Sequence, residues 1–267
     1  MKISRDNRSF IVRGGKKMDY IHFFGTTGNK DIIFKNARSA GGLYINIDDT
    51  HIIFDPGVNT FYKYIHTYGN NETIDGIIVS HVHIDHANDL NICIELMTNG
   101  GREKRGSVIL PKQAIDNKIL QPYLEDFPEK IEIIEPNTNY RIKNLEITSS
   151  IAHDHGVECY GFIIKTNKHR IGLVTDTKYF PELLKSYENC DILIMNVAYH
   201  INNKEKAKHL DILAVEEFIK AIQPTKVIIT HFNKNILREG PPEIAQDLTK
   251  KYGIEVIAAE DDMNLYL

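Results

Sequence analysis

Between Ser80 and His86 the chain reads Ser-His-Val-His-Ile-Asp-His, with four nitrogen or oxygen donors packed into six positions directly after the apolar run Ile74-Asp-Gly-Ile-Ile-Val-Ser80. A run of strand length that is apolar on both faces belongs inside a sheet covered on both sides. Any fold this chain adopts must therefore carry a ligand-dense turn at the end of a buried strand. Imidazole and carboxylate groups at that density suit borderline divalent cations such as zinc. A lone His-x-His in a strand is ordinary surface decoration, whereas His-x-His-x-Asp-His is specific enough to set aside a solvated polar loop.

Periodicity along the remaining chain gives the framework that holds this turn. A strand is expected over Met18 to Phe24, then a hairpin of Gly42 to Ile47 and His51 to Phe54 joined at Asp48-Asp49-Thr50. Helical spacing runs from Asn88 to Asn99 and closes at Gly100-Gly101. A strand at Ser107 to Leu110 and a helix at Lys112 to Leu120 follow. Five consecutive strands are expected near 131–134, 140–142, 145–151, 159–166 and 170–175, which implies a mostly antiparallel or mixed sheet. Strands at 191–195 and 226–230 flank an amphipathic helix, Leu210 to Ile222, that stops before Pro224. A last helix, Pro242 to Tyr252, precedes strands at 255–259 and 265–267. Strand clusters interleaved with helices in two halves predict an α+β chain, two sheets face to face with helices outside, a four-layer αββα sandwich. No Pro/Ser-rich linker divides it, so residues 18–267 read as one domain behind a polar N-terminal extension, 1–17.

Composition narrows the function. A formal net charge of -4 and a pI near 6.3 argue against a generally basic surface that would bind nucleic acid through phosphate neutralisation alone. Cys93, Cys159 and Cys190 are odd in number and widely spaced, so they suggest neither a disulfide framework nor a metal knuckle. We read them as reduced core thiols. With no membrane-length apolar segment and no apolar signal-peptide core, a cytoplasmic protein is expected.

The His81-Val-His83-Ile-Asp85-His86 motif resembles that of the metallo-β-lactamase fold superfamily, in which it is followed by a further His, a bridging Asp and a last His. The resemblance runs from Met18 to Leu267. It implies that Ala152-His153-Asp154-His155-Gly156 supplies the next ligand, Gly172-Leu-Val-Thr-Asp176 the bridge and Ile228-Ile-Thr-His231 the last ligand. His153 and His155 lie on the same face of an extended strand, so either can be the third-motif ligand. His155 is favoured, because it stands six residues before Gly161-Phe162, as a ligand does in ribonuclease Z-like relatives. On this resemblance one cation takes His81, His83 and His155, a second takes Asp85, His86 and His231, and Asp176 bridges them. Two divalent metal ions are implied, zinc first, with manganese or iron as alternatives, and a hydroxide between them as nucleophile. Asp55, in Phe54-Asp55-Pro56-Gly57, occupies the position of an acidic residue that orients a ligand His.

His209, in Lys208-His209-Leu210-Asp211, resembles the histidine that opens the penultimate helix of ribonuclease Z and of the cyclic phosphodiesterases of phosphonate breakdown. That resemblance implies a general acid for a departing alkoxide, acting beside Asp85. Weaker signals are Arg38 as a phosphate-reaching side chain and His200 as a cleft residue; His22, His51, His66 and His169 read as surface or satisfied strand residues. Gly25-Thr-Thr-Gly28 lacks the Gly-Lys-Ser/Thr ending of a P-loop and resembles the superfamily's first strand-to-loop turn.

Flavodiiron reductases have a carboxylate where this chain has His83, glyoxalase II relatives need an additional helical domain, and cap-bearing nucleases are longer than this chain. A phosphodiesterase acting on a small cyclic or nucleotide phosphodiester is therefore expected. The alternatives are a lactone or thioester hydrolase on the same site and a non-catalytic metal-binding sensor. Expected partners are a phosphate-containing small molecule and a second copy of the chain, with neither membrane nor nucleic acid.

Overall fold

The structure, a computed structural model, describes residues 18–69, 73–201 and 208–267, so the expected extension 1–17 lies outside the described residues. Two sheets lie face to face. The first has the order β15-β1-β2-β3-β4-β5-β6 and is formed by β1 (Tyr20–Gly25), β2 (Gly42–Ile47), β3 (Thr50–Phe54), β4 (Gly76–Ile78), β5 (Ser107–Leu110), β6 (Lys130–Ile133) and β15 (Asn264–Tyr266). The second has the order β14-β13-β11-β10-β9-β8-β7 and is formed by β7 (Asn139–Ile142), β8 (Leu145–Ala152), β9 (Tyr160–Lys165), β10 (Arg170–Val174), β11 (Ile192–Tyr199), β13 (Lys226–Thr230) and β14 (Glu255–Ala258); the short β12 (Leu210–Asp211) pairs with β11. Each sheet is antiparallel at one side and parallel at the other: β3 to β6 run parallel in the first, as do β10, β11, β13 and β14 in the second.

The strands are apolar on both faces because both faces are covered. Ile45, Ile52, Phe54 and Ile78 of the first sheet meet Ile147, Phe162, Ile164, Leu173, Ile194 and Ile228 of the second in one inter-sheet core. The alternate residues point outward. Tyr44, Ile53, Ile77 and Val79 pack beneath α2 (Thr60–Tyr68) and α4 (Leu90–Met97), while Ile163, Leu193, Met195, Val227 and Ile229 pack beneath α7 (Ile212–Ile222) and α9 (Pro241–Tyr252). This period of two on both faces is the αββα sandwich expected from the sequence.

Local chemistry explains the boundaries. Asp48 and Asp49 both have positive φ, 49° and 55°, the requirement of a two-residue type I′ hairpin turn. Lys118, with φ 56°, turns the chain out of helix, so the element expected over 112–120 stops at Asp116. The helix expected from Leu210 begins at Ile212: Leu210 and Asp211 pair with β11, and the Asp211 carboxylate caps the helix by accepting from Ala214 N at 3.0 Å. The run of five strands is divided, since β6 leaves its neighbours in sequence to pair parallel with β5 in the other sheet. The aromatic, helix-indifferent segment of α2 is helical because Tyr64 and Tyr68, one turn apart, bury against Phe24 and Tyr44. Among the described residues no helix is long and apolar enough to cross a membrane.

Phe162 crosses the interface between the sheets, its ring edge-on to Phe54 with centroids 5.7 Å apart and no exposed surface. Truncating it leaves a cavity between two sheets that cannot both collapse into it. Phe162→Ala should lower unfolding free energy by about 3–5 kcal/mol in guanidinium titrations; a loss under about 1 kcal/mol would mean the two sheets do not share a rigid core.

Candidate metal centre

The parallel arrangement decides where the polar residues go, because parallel strands end on a common rim. Asp55 follows β3, His81 follows β4 and leads into α3 (Ile84–Ala87), Asp176 follows β10 and His231 follows β13. His155 comes to the same rim on the loop after β8, and His209 immediately precedes β12. The two sheets thus bring together residues as far apart in sequence as Asp55 and His231.

Two triads of donor atoms result. His83 Nδ1 lies 3.1 Å from His81 Nε2 and 3.0 Å from His155 Nε2. His231 Nε2 lies 3.1 Å from His86 Nε2 and 3.3 Å from Asp85 Oδ2, and His86 Nε2 is 3.4 Å from the same oxygen. Asp176 stands between the triads: Oδ2 is 3.5 Å from both His155 Nε2 and His86 Nε2, and Oδ1 is 3.5 Å from His231 Nε2. His209 Nδ1 also approaches Asp176 Oδ2, at 3.6 Å, and its ring stacks on His231. Each triad could hold one cation, as could His81, His86 and Asp176 together.

The hydrogen bonds behind these atoms choose their tautomers. Ser80 Oγ donates to Asp55 Oδ2 at 2.7 Å, which leaves it to accept from His81 Nδ1–H at 2.9 Å. His86 Nδ1–H donates to Asp55 Oδ2 at 2.8 Å, and His155 Nδ1–H donates to the Lys208 carbonyl at 2.8 Å. In all three the Nε2 lone pair is consequently turned inward. Ser80 N closes the arrangement by donating to Asp55 Oδ1 at 2.6 Å, and Asn196 Nδ2 donates to Asp176 Oδ1 at 2.8 Å.

His83 Nδ1–H can serve only one of its two imidazole neighbours fully, so protons leave these inward lone pairs incompletely matched. A cation resolves the conflict, since Zn–N bonds of about 2.0–2.1 Å at a tetrahedral centre hold neighbouring ligand atoms roughly 3.3 Å apart. Electrostatics agrees. Burial holds the pKa of His81, His83, His155 and His209 below the ordinary imidazole value, which favours the neutral, metal-binding form. His86 is the exception: burial opposes its charge, yet Asp85, Asp176 and Asp55 outweigh burial and hold its pKa well above the ordinary value. For Asp85 and Asp176 burial likewise favours the neutral acid, but the surrounding imidazoles overcome it and hold both carboxyls well below the usual range. A pocket that keeps two buried carboxylates ionised is a site for positive charge. The donor set is that of a binuclear divalent-metal site.

His153 is absent from both triads. Its Nδ1 faces the Asp176 carbonyl at 3.2 Å and its Nε2 faces the Tyr187 hydroxyl at 3.1 Å, so the strand-face equivalence with His155 is broken by a bend in the loop after β8. Arg38 does not reach the centre: its guanidinium lies over the Phe232 ring and donates to Thr26 Oγ1 at 2.6 Å and to the Ala259 carbonyl. His22 and His51 are buried and hydrogen-bonded to Asn264 and Tyr44, while His66 sits exposed against Tyr62. Sequence reading gave no role to Ser80 or Asn196 and placed Gly28 only in a strand-to-loop turn. Gly28 packs so tightly that a Cβ there would lie 1.9 Å from His231 Cε1, which makes glycine the one residue that admits His231 to its place. Ser80 adjoins the motif and was the most accessible of these signals.

A cleft of about 330 Å3 opens beside the second triad, lined by Gly28, Lys30, Asp31, His209, His231 and Asn233. His83 is exposed at the rim, so the triads are open to solvent on that side.

Residues 50–232 match the family described as the β-lactamase superfamily domain. An uncharacterized protein of Methanocaldococcus jannaschii is 23% identical over 246 residues, 90% of this chain and 91% of that protein. A ribonuclease Z of Clostridium botulinum is 26% identical over 230 residues, 73% of this chain and 71% of the enzyme. The metallo-β-lactamase fold protein YhfI of Bacillus subtilis superposes with a TM-score of 0.77 at 18% identity, covering 94% of this chain and all of that one. The chain belongs to the metallo-β-lactamase superfamily, related to its ribonuclease Z-like branch, and with its clustered histidines and carboxylates it is a metal-dependent hydrolase.

Proposed function

We propose that the protein is a phosphodiesterase acting on a small cyclic or nucleotide phosphodiester. His81, His83 and His155 would hold one cation, Asp85, His86 and His231 a second, and Asp176 would serve both. Zinc suits this nitrogen-rich set, and manganese or iron is compatible with it. When bound, two such ions supply a nucleophilic oxygen at neutral pH and positive charge for the phosphoryl oxygens.

The observation that carries the reading is the position of His209. Its imidazole stands between the triads and the cleft, stacked on His231 with centroids 5.8 Å apart, and its side chain keeps about a quarter of its surface. A substrate with its phosphorus at the centre and its leaving group in the cleft places the departing oxygen against that ring. Burial lowers the pKa of His209, chiefly by desolvation, and Asp176 opposes the shift. An anionic phosphodiester beside the ring would oppose it further, which favours the protonated form a general acid needs. Lys30, in the cleft wall, adds a positive charge on the same side. The name of the Clostridium botulinum relative, a ribonuclease, points to phosphodiester chemistry as well. The three buried free thiols accord with a cytoplasmic setting.

Zinc- or manganese-loaded protein should hydrolyse bis(p-nitrophenyl) phosphate. Chelation should abolish turnover and readdition restore it. Asp85→Ala should fall below roughly a hundredth of the parent rate, since it removes the only carboxylate of the second triad that does not also serve the first; retention of activity would overturn the mechanism. His209→Ala should cost roughly 10²–10⁴-fold with an alkoxide leaving group and far less with p-nitrophenolate, which departs without a proton. Equal losses on both substrates would exclude a general-acid role. Removing the shared acceptor in Asp55→Ala should weaken metal binding about 10–100-fold by chelator competition. Faster turnover of a lactone or thioester than of any phosphodiester would reassign the substrate class.

A further inference from the structure

His153 is buried, adjoins the centre and has no part in the reaction outlined above. Its ring lies where the loop carrying His155 meets the segment carrying Asp176. His153 N donates to the Cys159 carbonyl at 2.8 Å, which closes that loop at its base. Across the gap, Nδ1 lies 3.2 Å from the Asp176 carbonyl and Nε2 lies 3.1 Å from the Tyr187 hydroxyl.

The tautomer follows from counting protons. A carbonyl only accepts, so Nδ1 must carry the hydrogen that reaches Asp176 O. Thr175 Oγ1, also 3.2 Å from Nδ1, offers no alternative, because its proton goes to the Tyr160 carbonyl at 2.7 Å. Nε2 is then an acceptor, and the buried Tyr187 hydroxyl shares its one proton between Nε2 at 3.1 Å and the Leu173 carbonyl at 3.3 Å. Cys159 Sγ supplies the second donor to the Asp176 carbonyl at 3.2 Å. Gly161 completes the seat: a Cβ there would fall 1.8 Å from the Tyr187 hydroxyl and 2.9 Å from His153 Cε1, so the site has been kept clear for this pair.

We propose that His153, held in its Nδ1–H form by Tyr187, is a positioning residue that sets the distance between His155 and the Asp176 carboxylate and thereby the affinity of the centre for its cations. It works through the backbone of Asp176 and the loop of His155, which stand 3.5 Å apart at their donor atoms, and it touches neither substrate nor cation. This inference rests on the reading of His155 and Asp176 as metal ligands.

The experiment is zinc titration of metal-free full-length chain against a chromophoric chelator, together with visible spectra of the cobalt-substituted protein and the melting temperature of the metal-free form. Parent protein should bind two ions. Tyr187→Phe deletes one hydroxyl and should weaken one of the two ions three- to tenfold with a shifted cobalt spectrum. His153→Phe should weaken the same ion at least tenfold while still binding two at saturation, and His153→Gln, which can still donate to the carbonyl, should recover part of the loss. Folded variants that bind both ions within twofold of the parent, with only a lower melting temperature, would reduce His153 to a packing residue and overturn the proposal. Complete loss of one ion in His153→Phe would also overturn it, by making His153 a ligand. If His153→Phe fails to fold, Tyr187→Phe decides the matter. Parent protein that binds no ion would refute the metal reading itself, an outcome distinct from unchanged variants of a metal-binding parent.

Discussion

The Asp176 carboxylate is the contact on which the rest of the centre depends. Only 1% of its side-chain surface is exposed and burial favours the neutral acid, yet His231, His209 and His86 hold its carboxyl well below the usual range. A charge in that position is tolerable only when opposite charge and directed hydrogen bonds replace the lost water. Asn196 supplies one such bond to Oδ1, and the His153 and Cys159 donors fix the carbonyl of the same residue. Moving Asp176 would disturb both triads together, so the second sheet must hold it rigidly.

That rigidity comes from the sandwich. Phe54, Phe162, Ile164 and Leu173 lock the sheets to one another, while helices on the outer faces leave the strand ends clear at one rim. Parallel pairing of β10 with β11 and of β11 with β13 puts Asp176, Asn196 and His231 on one edge in consecutive positions. His231 occupies a left-handed backbone conformation, φ 66°, that a side chain of its size adopts only under constraint. The strain falls at a residue whose ring is enclosed by Gly28, Asp85 and His86, which is where surrounding structure can enforce it.

Much of this was legible in the amino-acid order because each part has a local signature. Strands buried on both faces read as apolar runs, the Asp48-Asp49 turn reads as a hairpin, and His81 to His86 carries two donors of each triad within a single turn. Elements stabilised by remote partners were illegible. The α2 segment is helical through contacts of Tyr64 and Tyr68 with other strands, and β6 pairs with β5 although its sequence neighbours β7 to β10 form a meander. Ser80 and Asn196 have no motif of their own, and only the atoms they face give them a role.

The sequence by itself determined the layered fold and the donor-rich chemistry of the first turn, since donor type and apolar periodicity are properties of the chain. Spacing favoured His155 over His153, and tertiary structure gave the two their different surroundings. The two share a strand face and an identical imidazole, but one meets a carbonyl and a hydroxyl that occupy both its nitrogens, while the other meets a single carbonyl and turns its second nitrogen toward His83. Placement of His209 was decided in the same way, by the rings of His155 and His231 against which it packs. An imidazole is ligand, acid or buttress according to which of its nitrogens the surroundings leave open, and those surroundings exist only after the two sheets have closed.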